Sequence, residues 1–187
     1  MTLSVDFTSH FLMAMPGLVS GELAGTVIYV CEHSERGALG LVINRPTDLT
    51  VASLLEKVDL ESTDPGVSRI PVHYGGPVQT DRGFVLHKPA LDYSSSIHLS
   101  EQLALTTSRD ILQAIAQGDG PAQMLVTLGY AGWGAGQLEQ EMAQNAWLSV
   151  LAEDDIIFET EAELRYPAAM RLLGIDPLML AGSAGHA

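Results

Sequence analysis

Two apolar runs lying close together in the chain set the terms of the fold. Thr26-Val27-Ile28-Tyr29-Val30-Cys31 is β-branched and aromatic, and Ala38 to Ile43 is nearly continuous in apolar residues. Such side chains fit the pleated surface of a sheet. The connection Glu32 to Gly37 is polar and ends on glycine, so the pair reads as a β-hairpin. Neither run alternates strictly between apolar and polar, which predicts a sheet covered on both faces. Asn44-Arg45-Pro46 stops the second strand.

Helical and extended patterns intermix along the rest of the chain. Val51, Leu54, Leu55 and Val58 follow the i, i+3, i+4, i+7 spacing of one helix face, predicting a helix from Leu49 to Val58. Pro71 to Tyr74 and Phe84 to His87 read as strands around the turn Gly75-Gly76-Pro77, and Ser96 to Leu99 as a short strand. Thr107 caps a helix that carries Asp110 in its first turn and stops at Gly118. Met124 to Leu128 reads as a strand, Gly129 to Gly136 as a glycine-rich turn, and Gln137 to Trp147 as a helix. Ile156-Ile157-Phe158 reads as a last strand. Thr160 and Glu163 then open a helix that Pro167 should kink or split before Gly174. Strands mixed with helices, with a hairpin in place of strict βαβ alternation, predict a mixed sheet flanked by helices. At 187 residues the chain is expected to form a single domain over 1–187.

Charge narrows the function classes. Nine Lys+Arg against 23 Asp+Glu leave a formal net charge of −14. Affinity for nucleic acid comes from neutralising phosphates, so direct binding to DNA or RNA is disfavoured. No apolar run approaches the roughly 20 residues of a membrane-spanning helix, and the start of the chain lacks a basic secretory signal. A cytoplasmic (cytosolic) protein is expected. Cys31 is the one cysteine. His10, His73, His87, His98 and His186 are scattered without metal-ligand spacing, so neither a metal nor a cofactor is expected.

Two segments carry candidate chemistry. In Cys31-Glu32-His33 the first and third residues of an extended strand face one side, placing imidazole beside thiol. A protonated imidazole favours the nucleophilic thiolate, which makes Cys31 and His33 candidate catalytic residues of a redox or transferase protein. The competing reading is a core cysteine at a strand end. In Gly129-Tyr130-Ala131-Gly132-Trp133-Gly134-Ala135-Gly136-Gln137 a strand leads through glycines into a helix. Backbone amides of Gly132, Gly134, Gly136 and Gln137 are candidate donors to a small anion, with Arg45 as a charge partner. The competing reading is a tight turn that packs Trp133 on the sheet. Ser94-Ser95-Ser96 lacks the spacing of a nucleophile elbow.

Taken in order, these segments resemble the YqgE/AlgH family of bacterial proteins. The matching words are Phe11-Leu12-Met13-Ala14-Met15-Pro16, Val27 to His33, Gly37-Ala38-Leu39-Gly40, Asn44-Arg45-Pro46, Gly75-Gly76-Pro77 and Phe84-Val85-Leu86-His87. They continue through Thr107-Ser108-Arg109-Asp110, Leu128 to Trp133, Gly136-Gln137-Leu138-Glu139 with Glu141, Asn145-Ala146-Trp147, and Gly185-His186-Ala187. Arg165-Tyr166 stands where the family carries an Arg-Trp pair. The resemblance implies a compact α+β fold, with a mixed or bifurcated, barrel-like sheet flanked by helices. It implies no defined activity, although some members carry the label of transcriptional regulator. The resulting expectation is a binding or regulatory module for a small anion or a protein partner. The alternatives are thiol chemistry at Cys31 and regulation of transcription, directly or through a partner.

Overall fold

A computed structural model describes residues 5–176. The fold is α+β. In chain order its elements are β1 (His10–Ala14), β2 (Val27–Ser34), β3 (Gly37–Val42), β4 (Pro46–Thr50), α1 (Val51–Lys57), β5 (Pro71–Tyr74), β6 (Val78–Lys88), β7 (Ile97–His98) and β8 (Ala104–Thr106). There follow α2 (Arg109–Ala116), β9 (Gln123–Gly134), α3 (Gln137–Ala143), β10 (Trp147–Leu151), α4 (Asp154–Phe158) and α5 (Ala162–Leu172). The described residues gather into two compact units, neither continuous in sequence. The first takes the chain up to Asn44, Gly76–Val78 and everything from Tyr130; the second takes Arg45–Gly75 and Gln79–Gly129.

In the first unit β2 and β3 form the expected hairpin. β1 pairs antiparallel with both β2 and β10, and Gly37 to Gly40 of β3 pair with Gly134 to Ala131 of β9. Phe11, Leu12, Met13, Ile28 and Leu41 have no exposed surface, so the centre of this sheet is the core. α5 runs unbroken through Pro167. Its neighbours hold the turn that proline alone would open: Tyr166 Oη–H donates to the Ala14 carbonyl at 2.7 Å, and the buried Arg165 guanidinium donates to the carbonyls of Thr160 and Ile43. Tertiary contacts here override local propensity.

In the second unit β4 pairs antiparallel with β5, β5 runs parallel to β9 through His73 and Thr127, and β6, β8 and β7 form an antiparallel run. Val51, Leu54 and Leu55 bring the predicted face of α1 onto a core with Val72, Val85, Ile111, Ile115 and Val126. His87 is fully buried; its Nδ1–H donates to the Pro89 carbonyl and its Nε2 accepts from the Thr106 hydroxyl. Burial pushes its pKa down.

Several local expectations fail for identifiable reasons. Ile156-Ile157-Phe158 lies in α4, where Asp154 and Asp155 suit the positive helix end; a three-residue apolar run has no period to read. The helix after Gly136 ends at Ala143, and Trp147 begins β10, which closes on β1. Gly129 to Gly134 is strand, because Gly132 and Gly134 pair with Leu39 and Gly37 of β3, and Gly37 leaves the Trp133 carbonyl room to approach. β1, β4 and β8 are too short or too polar to stand out, and Pro46 opens β4 as well as ending the preceding run. Ser108 and Glu161, not Thr107 and Thr160, occupy the N-cap positions of α2 and α5. Among the described residues no helix is long and apolar enough to cross a membrane. The terminal Gly182 to Ala187 lies outside the described residues.

Gly37 shows what the β2–β3 turn demands. Its φ is +133°, and a Cβ there would drive into the Trp133 carbonyl oxygen. Gly37→Ala is expected to destabilise the protein by roughly 2–5 kcal/mol, from strain plus overpacking. Urea denaturation checks this; a midpoint equal to that of the parent would show that the turn tolerates a side chain.

Candidate functional site

The hairpin end of β2 positions the candidate residues. Val30 pairs with Gly40 and Glu32 with Leu39, so Cys31 is the extra residue of a β-bulge. A bulge breaks the two-residue alternation of side chains. The expectation that Cys31 and His33 face one side depends on that alternation. Cys31 points into the core at 6 % exposure, and its Sγ approaches the Tyr29 carbonyl at 3.9 Å. Burial, reinforced by the charge of Glu32, pushes the thiol pKa up, away from the thiolate.

His33 is engaged on both ring nitrogens. Its Nδ1 accepts the Phe7 N–H at 3.0 Å, and its Nε2 pairs with Glu139 Oε1. This network assigns the proton to Nε2 and makes His33 a latch between the segment at Phe7, β2 and α3. The Phe7 ring lies 5.5 Å from the imidazole. Asp6 Oδ1 stands 3.9 Å from Nδ1. Hydrogen bonds from Thr8 hold the Asp6 carboxyl below the usual carboxylate range, with His33 a smaller contributor.

The start of α3 is tied from the other side. Gly136 caps the helix at φ +76°. Gly134 N–H donates to Gln137 Oε1 at 3.0 Å, and Gln137 Nε2 donates to Glu141 Oε2 at 2.9 Å. Glu141 Oε1 accepts both indole N–H groups, from Trp133 at 3.2 Å and Trp147 at 2.9 Å. The two indoles meet edge to face, with centroids 6.0 Å apart. Gly136 lines one cleft with His33, and the Gly134 N–H is spent on the Gln137 side chain. Gly132 sits in the ladder opposite Leu39. Arg45 belongs to the second unit, where its carbonyl accepts from Tyr74 N–H.

Around this latch lies a cleft of about 580 Å³, lined by Asp6, His33, Glu35, Arg36, Gly136 and Glu139 among others. Arg36 also lines a shallower depression of about 390 Å³ with Glu32, Tyr130, Gly132 and Trp133. Carboxylates outnumber the single guanidinium in the cleft, so it suits a charged, mixed-sign surface better than a free anion. No group of three or more His, Cys, Asp or Glu among the described residues is arranged to hold a metal ion. Sequence reasoning missed Asp6, Glu35 and Arg36, which carry no motif. The Gln137–Glu141 pair was legible as an i, i+4 spacing on one helix face.

Two measurements follow from this geometry. The folded state holds the Cys31 proton more tightly than the unfolded chain does. Its contribution to stability is therefore complete below about pH 8.5 and is lost progressively as pH rises, at up to ~1.4 kcal/mol per pH unit. Urea melts of the parent should steepen against pH in that range relative to Cys31→Ala; parallel profiles would place the thiol in water. Glu141→Ala strands two largely buried indole donors and should lower stability by about 2–4 kcal/mol, measured by the same melts. A loss below that range would mean water replaces the carboxylate.

A family model described as AlgH-like matches residues 11–178. A UPF0301 protein of Bordetella avium is 72 % identical over 97 % of this chain and 92 % of its own length. A UPF0301 protein of Ralstonia nicotianae is 55 % identical over 98 % of this chain and 96 % of its own. Among solved structures, the solution structure of the AlgH protein from Pseudomonas aeruginosa matches with a TM-score of 0.81 at 48 % identity, covering all of both chains. A crystal structure of a Corynebacterium diphtheriae protein matches in fold, with a TM-score of 0.70 at 21 % identity over 91 % of this chain and 89 % of that one.

Proposed function

From the premise that the chain belongs to the AlgH-like family, we propose that it is a cytoplasmic binding or regulatory module whose partner is a protein. The partner docks at the cleft beside the β2–β3 turn. One observation carries this reading. The groups suited to catalysis are committed internally, with Cys31 in the core and both nitrogens of His33 bonded, while Glu35 and Arg36 stand exposed on the turn. Exposed charges of both signs on a tightly held turn give orientation and selectivity to a protein contact. The chain's net charge of −14 favours a protein surface over nucleic acid, so an effect on transcription would pass through a partner.

Thiol chemistry is the second reading. It requires Cys31 to leave the core and an external thiol to resolve any disulfide, since the chain has one cysteine.

Complementation of a deletion strain separates the two. Cys31→Ser should restore the parental phenotype. The charge-reversed pair Glu35→Lys with Arg36→Glu should fail to restore it while keeping parental amide chemical-shift dispersion. Failure of Cys31→Ser together with success of the charge-reversed pair would replace the docking reading with the thiol reading.

A further inference from the structure

The second unit holds a cavity of about 210 Å³ that the docking cleft does not involve. Three elements present their periodic faces to it. Asp81, Gly83 and Val85 come from alternate positions of β6, Leu54 from α1 with Val58 at its C-cap, and Ile111 and Leu112 from α2 with Ser108 at its N-cap. The walls are core residues: Val85, Ile111 and Val126 are at most 2 % exposed. A cavity of ~150 Å³ with such a lining admits a benzene-sized molecule. This one has room for a single ring or a short branched chain.

Gly83 is the feature that the fold itself does not require. Glycine inside a strand loses backbone entropy and packs nothing, so it is usually explained by unusual dihedrals or by a close neighbour. Gly83 has neither. Its φ lies outside the left-handed region, and a Cβ built on it meets nothing within 4 Å. Gly37 in the other unit shows the opposite case. The missing side chain at Gly83 keeps space open on the cavity face of β6.

The mouth supplies the head-group chemistry. Arg109 lines it, and its Nη2–H donates to the Val58 carbonyl at 2.7 Å, which pins the guanidinium at the rim between α1 and α2. A guanidinium carries five N–H donors and matches a carboxylate with paired bonds. Asp81, also exposed, lines the cavity too.

We propose that this cavity is a binding site for a small apolar carboxylate, its branched or cyclic body against Leu54, Val85, Ile111 and Val126 and its carboxylate on Arg109. Asp81 decides whether the ligand also carries an ammonium, as an apolar amino acid does.

The test is amide NMR titration of the whole protein with 4-methylpentanoate and with leucine, which share a body and differ by the ammonium. Saturable shifts confined to Gly83, Val85, Thr107 to Leu112 and Val126, with either probe, support the site; the stronger binder identifies the head. Gly83→Val should fill the cavity, raise Tm and abolish the shifts. Gly83→Ala, the smaller change, should fold and raise Tm as well. Arg109→Gln should weaken binding about tenfold or more, the loss of a paired charge-assisted contact. Absence of saturable shifts with both probes overturns the proposal, as does binding that Gly83→Val leaves intact. A fall in Tm for Gly83→Ala would also overturn it, since the strand would then need glycine for its own sake.

Discussion

One carboxylate organises the first unit. Glu141 accepts the indole N–H of Trp133 from β9, the indole N–H of Trp147 from β10 and the amide of Gln137 from its own helix. Hydrogen bonds to an ionised acceptor are about twice as strong as neutral ones, and a buried donor left without a partner is costly. With Trp133 and Trp147 6 % and 2 % exposed, α3 has one seating that satisfies both. That seating puts Gly136 at the helix start and Glu139 against His33. His33 in turn holds the segment at Phe7. The cleft is thus the outer end of a chain of constraints that begins in the core.

Cys31 is the extra residue of a bulge, and its thiol is buried in the core. The His33 imidazole, two residues on, accepts the Phe7 N–H on one nitrogen and pairs with Glu139 through the other. With both nitrogens taken, the imidazole has no lone pair left to offer the thiol. The rest of the hairpin follows its sequence pattern closely, because apolar strands buried on both faces leave little choice of register.

Much of the fold was legible. The β2–β3 hairpin, the apolar face of α1, the strands at Pro71 and Phe84, and the helix after Ser108 are all local patterns, and local patterns survive folding when they agree with the core. Ile156 to Phe158 reads as a strand because a short apolar run has no distinguishing period, and acidic neighbours make it a helix; the helix expected to reach Trp147 stops at Ala143 because Trp147 pairs with β1. Of the site residues, His33, Gly134, Gly136 and Gln137 belong to segments legible in the sequence. Asp6, Glu35 and Arg36 do not, because a surface charge acquires meaning only from what stands across from it.

By itself the sequence determined the hairpin, the acidic balance of the chain, and the family words that run from Phe11 onward. These are properties of local spacing and of summed composition. Tertiary structure alone decided that Cys31 would be buried in the core, that the glycine-rich stretch would be a strand rather than an open loop, and that Gly83 would face empty space while Gly37 faces a carbonyl. Glycine reads the same at both positions in the chain. What it is for depends on whether another part of the backbone arrives beside it, and that is a long-range contact no local pattern encodes.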